Sequence, residues 1–410
     1  MARRLPLALL IALLMCGCGR KPDSRTELRF WNGFTGPDGV TMLRLVQRFN
    51  RENPDVRVLM QRMDWATYYN KLYVAGIGHR APEVFVLQTH AVPRFARARF
   101  IRTVDDLIGP RGGLLPSQFD PNIWQTDTID NRQYGIPLDI WVMGMYYNRR
   151  LFRSADLIDA SGRPVPPANR GRFVDAARRM TDRKAGTWGF AFTNFESNVY
   201  SVMLQFGGSL FSPDGTRCTL NSPENVAALQ LCVDLIWKER VAAPPENFDS
   251  WIGFRQGRVG MVWEGIYMLA DLESSSDLEY AGAPTPTLGS RPAVWSGSHN
   301  LCLRADLSPR QVQAAWRFIR FLSDNSLDWA AGGQIPARRD LRALPRFKSM
   351  TVQAEFARQV PYAVPMPRVP FAFELQSEFD LAVERALRRT VTPQQALDAA
   401  TRNVDRVMKQ

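Results

Sequence analysis

Along the first ninety residues the apolar positions change period from one stretch to the next. Residues 28–31 form a short run that reads as a buried strand. Met42, Leu45, Val46 and Phe49 then recur at i, i+3, i+4 and i+7, the stripe of an amphipathic helix, with Pro54 just beyond its end. Val56, Val58 and Met60 alternate and predict a second strand. Trp65, Tyr69 and Leu72 share one helical face, with Gly78 as a stop. "EVFVLQ" is a continuous apolar run of strand length, the pattern of a central strand covered on both faces. The order β-α-β-α-β predicts a parallel sheet with right-handed crossovers. Ligands of such sheets sit in the loops after the strands. Residues 31–39 and 88–90 are two of these loops.

From Tyr134 the pattern lengthens. "YGIPLDIWVMGMYYNRRLF" is extended and apolar, broken by Pro137 and Asp139, and reads as a strand leaving one domain for another. "NRGRFVDAARRM" predicts a helix. "WGFAFTNF" predicts a strand running into a polar loop, residues 194–198. Ser222 and Pro223 open a further helix, as an N-cap and a first helical position should. "FRQGRVGMVWEG" contains a strand ending at Trp263, Glu264 and Gly265. "YAGAPTPTLG" is proline-rich and suits a second crossing, and "GGQIPARRDL" is a third irregular connection. Helices follow Ser308-Pro309 and Thr392-Pro393.

Composition narrows the class. At 410 residues, 45% of them hydrophobic, the chain suits two globular domains. Arg3 and Arg4 precede an apolar stretch, residues 5–15, that is too short to span a bilayer comfortably. Gly17 then directly precedes Cys18, which resembles a bacterial lipobox. A lipid anchor on Cys18 is the expectation, against a plain cleaved leader with incidental cysteines. The net charge of +12 comes from scattered arginines rather than one dense block. With export, that argues for a solvated basic surface, facing anionic lipid, and against nucleic acid. Beyond the leader only Cys218, Cys232 and Cys302 remain, at most one disulfide; Cys218 with Cys232 is one pairing, and burial as small apolar residues is the other. His79, His90 and His299 are far apart, and neither CxxC nor HExxH occurs, so no metal or cofactor is expected.

"FNRENPDVRV", "APEVFVL", "YGIPLDIWVMGMYYNRRLF", "FGGSLFSPDG", "FRQGRVGMVWEG", "GGQIPARRDL" and the C-terminal "FELQSEFDLAVERALRRTVTPQQALDAATRNVDRVMK" occur in this order. Together they resemble the extracellular solute-binding proteins of ABC sugar importers, the broad family that includes maltose-binding protein. The resemblance implies an α/β fold of the type II periplasmic-binding class, with two lobes, a central cleft and a hinge. It places a leader at 1–17 and a tether at 18–26. The N-terminal lobe takes 27–137 with 290–335, and the C-terminal lobe 138–289 with 336–410. Crossings fall near 137–141, 283–289 and 336–339. It further implies a monomer outside the cytoplasmic membrane that delivers a sugar to membrane permease subunits. The chain carries no Walker A motif, as expected if the ATPase is a separate subunit.

A sugar is uncharged, rich in hydroxyls, and has weakly apolar ring faces. Its site needs planar polar side chains beside rigid aromatics. Trp31 with Asn32 and Phe34, Asp139 with Trp141, Trp263 with Glu264, and Trp295 with Ser298 and His299 stand at strand ends or crossings with that chemistry. Asp64 and Trp65 start a helix, where a cap and a staple are the alternative. Gln88, Thr89 and His90 end a buried strand. Asn194 and Glu196 occupy the predicted polar loop. Trp237, Trp316 and Trp329 fall in helical patterns or beside them and are expected in the core. Arg338, with Arg62, would favour the alternative of a phosphorylated polyol or other anionic solute. A secreted glycosidase using paired carboxylates such as Asp139 and Glu264 is a rival of another class. A sensor subunit feeding a membrane receptor is a third.

Overall fold

The structure, a computed structural model, describes residues 25–409 apart from residues 79, 213, 247, 276 and 370. Cys18 and the leader lie outside the described residues. Strands β1 (Thr26–Asn32), β2 (Val56–Arg62) and β3 (Val84–Gln88) form where the apolar patterns put them. β1 is parallel to both of the others, and helices Pro37–Glu52 and Trp65–Ile77 make the crossovers. β3 is buried at every position but the last, as a strand covered on both faces must be.

A small hairpin, β4 (Thr128–Ile129) and β5 (Arg132–Gln133), leads into β6 (Ile136–Pro137) and the long, wholly buried β7 (Asp139–Asn148). β8 (Trp188–Phe192), β9 (Val259–Gly265), β10 (Tyr280–Ala283), β11 (Val294–Gly297), β12 (His299–Leu303), β13 (Ile335–Pro336) and β14 (Ala363–Pro365) follow. They make two main sheets. The first has the order β2-β1-β3-β12-β6. The second has the order β14-β11-β7-β9-β8, with β10 and β13 also pairing with β7. The helix Pro309–Asp324 docks on the first sheet through Phe318, whose ring lies 5.1 Å from that of Phe30 and 5.0 Å from that of Phe49. Each such buried phenylalanine contributes roughly 1.5–3 kcal/mol. The helices Ala372–Leu387 and Pro393–Met408 pack on each other beside the second sheet.

Two expectations are corrected. The proline-rich stretch 283–289 does not cross between sheets. β10 pairs antiparallel with β7, and the following run stays on the second sheet, where Gln359 accepts from the Thr285 N–H and Gln205 from that of Leu288. The Thr287 N–H donates to the Ala168 carbonyl, and prolines suit a run with so few N–H groups to place. Because β11 also pairs with β7, the passage comes at Ser298, and 290–297 sit with the second sheet rather than the first. The third passage lies just ahead of β13, which is already paired with β7. Residues 194–198 are not a solvated loop either. Phe195–Gln205 is a helix, buried from Ser197 onward. Inside it, Ser201 donates to the Ser197 carbonyl and Asn198 to that of Trp263, while the Asn198 amide oxygen is left without a partner. Cys218, Cys232 and Cys302 are buried free thiols.

Asp127 is fully buried, and neither carboxyl oxygen has a partner. The hydroxyl of neighbouring Thr126 is taken by the Ile123 carbonyl at 2.7 Å. Burial holds this carboxyl well above the usual range. It is therefore neutral in the fold at a pH where the unfolded chain ionises it. The fold loses stability as pH rises above about 4, by up to about 1.4 kcal/mol per pH unit until the folded group ionises. Thermal melts from pH 4 to 8 should show that slope flattened in Asp127→Asn.

Candidate functional site

β1 ends in a turn at Gly33. A Cβ there would lie 2.1 Å from the Trp65 ring, so glycine is what lets that indole lie across the loop. Trp65 opens its helix, and Asp64 caps it by accepting from the Thr67 N–H at 3.1 Å. The Trp65 ring stacks on His299, with centroids 5.5 Å apart and planes 10° apart. On the second sheet Gly297 serves the same purpose, because a Cβ would lie 2.0 Å from the Trp141 ring. Trp141 meets Trp295 at 4.6 Å and His299 at 6.4 Å. Aromatic walls from both sheets thus face a cavity of about 350 Å³, with Asp38, Gln88, Tyr267 and Gln334 also on its lining.

Beneath this cavity Asp139 is fully buried. It accepts from the His299 N–H at 3.0 Å, from the Trp329 indole at 2.7 Å, and meets His299 Nδ1 at 2.9 Å. Phe34 packs under the same ring, 4.9 Å from His299 and 4.7 Å from Trp329. Asp139 stands where β6 passes into β7, His299 where β11 passes into β12, and Trp329 just before β13. One carboxyl group therefore ties all three passages between the sheets.

Polar atoms at the cavity are left open. Gln334 is fully buried, yet neither its amide nitrogen nor its oxygen has a partner. The indole nitrogens of Trp141 and Trp295 are also buried and unpaired. Such atoms cost about 1–3 kcal/mol each unless something fills their hydrogen bonds. Burial raises the Asp38 carboxyl above its usual range, offset in part by His299. Behind Trp295 lies a recess lined by Glu196, Ser197, Tyr200 and Asp380. Burial first, and then Glu196, push Asp380 up to about 7, and one of its oxygens is unpaired. Burial also raises Glu196 and Glu264.

Of the residues expected from sequence, Trp65, Gln88, Trp141, Trp295 and His299 are on the cavity, and Glu196 is on the adjoining recess. The others are placed differently. Trp31 packs with Tyr68, Met63 and their neighbours, away from the cavity. Asn32 is buried and accepts from the Phe34 N–H at 3.2 Å. Asp64 is the helix cap. Thr89 and Ser298 bond each other across the two strands, at 3.1 Å and 3.2 Å. His90 lies against Tyr69 and Phe373, and burial lowers it to about 4. Asn194 precedes the 195–205 helix beside Glu196. Trp263 is fully buried against Phe173 and Phe190, because β9 turns that side chain into the core. Glu264 is spent on the Gly265 N–H at 2.7 Å and the Tyr267 hydroxyl at 3.3 Å. Arg338 is buried between Asp324 and Asp340. Trp316 and Trp329 are in the core as expected, while Trp237 is only partly buried.

Asp38, Tyr267 and Gln334 were not anticipated. Asp38 reads as a first-turn helix residue, and Gln334 as one polar letter in a connection. Tyr267 lies two residues past the end of β9. Among the described residues, no group of three or more His, Cys, Asp or Glu side chains is placed to hold a metal.

Residues 35–326 match the model of the bacterial extracellular solute-binding protein family. The solved structure of the ABC substrate-binding protein Lmo0181 from Listeria monocytogenes, in complex with cycloalternan, superposes with a TM-score of 0.82 at 22% identity, over 94% of this chain and 99% of that one. The putative ABC transporter periplasmic-binding protein YcjN of Escherichia coli K12 is 22% identical over 81% of this chain and 79% of its own. The sn-glycerol-3-phosphate-binding periplasmic protein UgpB of Shigella dysenteriae is 23% identical over 98% of this chain and 96% of its own. Two α/β sheets joined by three passages around a common cavity are the type II periplasmic-binding fold, and this chain belongs to the bacterial extracellular solute-binding proteins.

Proposed function

We propose that this protein captures a neutral sugar or short oligosaccharide outside the cytoplasmic membrane and delivers it to an ABC importer. The observation that carries the reading is the cavity itself: Trp65, Trp141 and Trp295 flank an unpaired Gln334 amide and unpaired indole N–H groups. Indole faces suit the C–H faces of a pyranose, and an amide with both atoms free suits adjacent hydroxyls. The solved relative Lmo0181 holds a carbohydrate, cycloalternan. Contact with both sheets would let the ligand favour a closed form, by its differential affinity for that form.

A phosphorylated polyol, the ligand in UgpB's name, fits less well. A phosphate is met by arginine or lysine, and no such residue is among those lining the cavity. Arg338 is committed to two aspartates, and Arg62 is exposed beyond the lining. The ligand would instead meet Asp38. A glycosidase reading loses its paired acids, since Asp139 and Glu264 are both sealed and hydrogen-bonded. The reading extends to a lipid anchor on Cys18 and to docking on permease subunits. Calorimetric titration against mono- and oligosaccharides and glycerol 3-phosphate tests it. At least one neutral sugar should bind and glycerol 3-phosphate should not; binding of glycerol 3-phosphate alone would reverse the assignment.

A further inference from the structure

A second cavity, of about 810 Å³, has Trp316 on its lining and shares no residue with the cavity between the sheets. It lies between the loop 106–112 and the helix Pro309–Asp324, and Arg111, Arg317 and Arg320 stand on its rim. Its one acid, Asp106, accepts from Arg102 Nη2 through both carboxyl oxygens, at 2.8 Å and 2.7 Å. Arg317 is paired with Asp55 at 2.8 Å. That leaves Arg111 and Arg320, which make no ion pair among the described residues. The Arg320 guanidinium is laid flat on the loop: a Cβ on Gly113, whose φ is +80°, would lie 2.5 Å from its Cζ. Its Nε is buried and has no partner. Its Nη groups make no hydrogen bond or ion pair among the described residues either, and a part-exposed guanidinium with unpaired N–H groups suits a planar or tetrahedral oxyanion.

The position of this groove narrows which anion it meets. β1 enters the sheet at Thr26, whose N–H donates to the Asp55 carbonyl at 2.8 Å, and Asp55 is the residue that Arg317 grips. The groove is thus linked through one residue to the end of the lobe where the N-terminal segment joins. The cavity between the sheets is at the other end of β1, beyond Asn32. Six residues separate Cys18 from Arg25, and the seven steps between them reach at most about 25 Å when extended. An anchor there keeps this end of the lobe close to the headgroup layer. Arginines near an anionic leaflet gain energy in its field, within a screening length of the surface.

We infer that the groove between residues 106–112 and the 309–324 helix binds lipid phosphate through Arg111 and Arg320, seating the tethered end of the lobe on an anionic membrane. The orienting role rests on the Cys18 anchor, whereas phosphate recognition by the groove does not, so the two can fail separately. The test uses the full chain in solution with dihexanoyl phosphatidylglycerol, dihexanoyl phosphatidylcholine (both below their micelle concentrations) or inorganic phosphate, at low salt. Amide exchange across 106–114 is read by mass spectrometry. Phosphatidylglycerol should slow that exchange several-fold and phosphatidylcholine should not. The effect should vanish in Arg111→Gln/Arg320→Gln, while exchange at Trp65 and sugar binding stay unchanged. Equal slowing by both lipids, no slowing by either, or an unaltered response in the double variant would overturn the inference. Slowing by inorganic phosphate but not by phosphatidylglycerol would leave an anion groove and overturn the membrane assignment. Mass analysis of the membrane-extracted protein for an acylated Cys18 reports the anchor independently.

Discussion

Asp139→Ala should be the most damaging single substitution at the centre of the molecule. It removes the acceptor shared by the His299 backbone N–H, the His299 ring and the Trp329 indole. Stranding buried donors of this kind costs about 1–3 kcal/mol each, so a loss of about 3 kcal/mol or more is expected. The consequence differs from that of an ordinary core truncation. The three donors and the acceptor belong to three separate passages between the sheets, so their relative placement loosens together. Sugar affinity should fall with stability, and Asp139→Asn, which keeps the shape and one acceptor, should recover part of both. Urea unfolding and calorimetry on the same samples check this. A stable Asp139→Ala protein with unchanged affinity would show that the tie does not organise the site.

Gln334→Met should move stability and binding in opposite directions. The substitution keeps the length of the side chain while removing an amide whose two polar atoms are buried and unpaired in the free protein. Replacing an unsatisfied polar group by an apolar one of similar shape is neutral or stabilising. The free protein should therefore melt higher, with a gain of about 1 kcal/mol. Sugar affinity should drop about tenfold or more, because the hydroxyls lose both a donor and an acceptor. A merely structural glutamine would give the reverse, a lower melting temperature with affinity held. The pairing of thermal melts with calorimetry on one variant separates the two roles.

The strands and helices of the first sheet are legible in the chain because their apolar periods are clean and their stops unambiguous. β1 to β3 and the helices between them appear within a few residues of where the pattern puts them. The helix starts at Ser222, Ser308 and Thr392 are legible for a chemical reason: each hydroxyl accepts from the N–H three residues on, as an N-cap should. Residues 194–198 read as a polar loop because asparagine, glutamate and serine favour solvent, whereas the helix from Phe195 buries Ser197 on Asn194 and Asn198 on the Trp263 carbonyl. The proline-rich stretch 283–289 misled because proline marks an extended chain without saying which sheet it accompanies.

The lining of the candidate cavity was legible in part. Trp65, Trp141, Trp295 and His299 stand at strand ends and helix starts, where local pattern carries information about placement. Trp31 and Trp263 stand in comparable positions and face the core instead, because a strand's alternation decides the face, and one position of register reverses it. Asp139 is expected from sequence as a ligand contact, yet it is sealed off the cavity lining and ties the passages between the sheets. Gln334 could not be seen, since its significance lies in hydrogen bonds it lacks, and sequence does not record an absence of partners.

The most direct test of the account is a crystal structure with the tightest-binding sugar from the calorimetric panel. A pyranose ring against Trp65, Trp141 or Trp295, with hydroxyls bonded to the Gln334 amide, is the predicted result. Ligand held elsewhere, or in this cavity with Gln334 still unpaired, would contradict it.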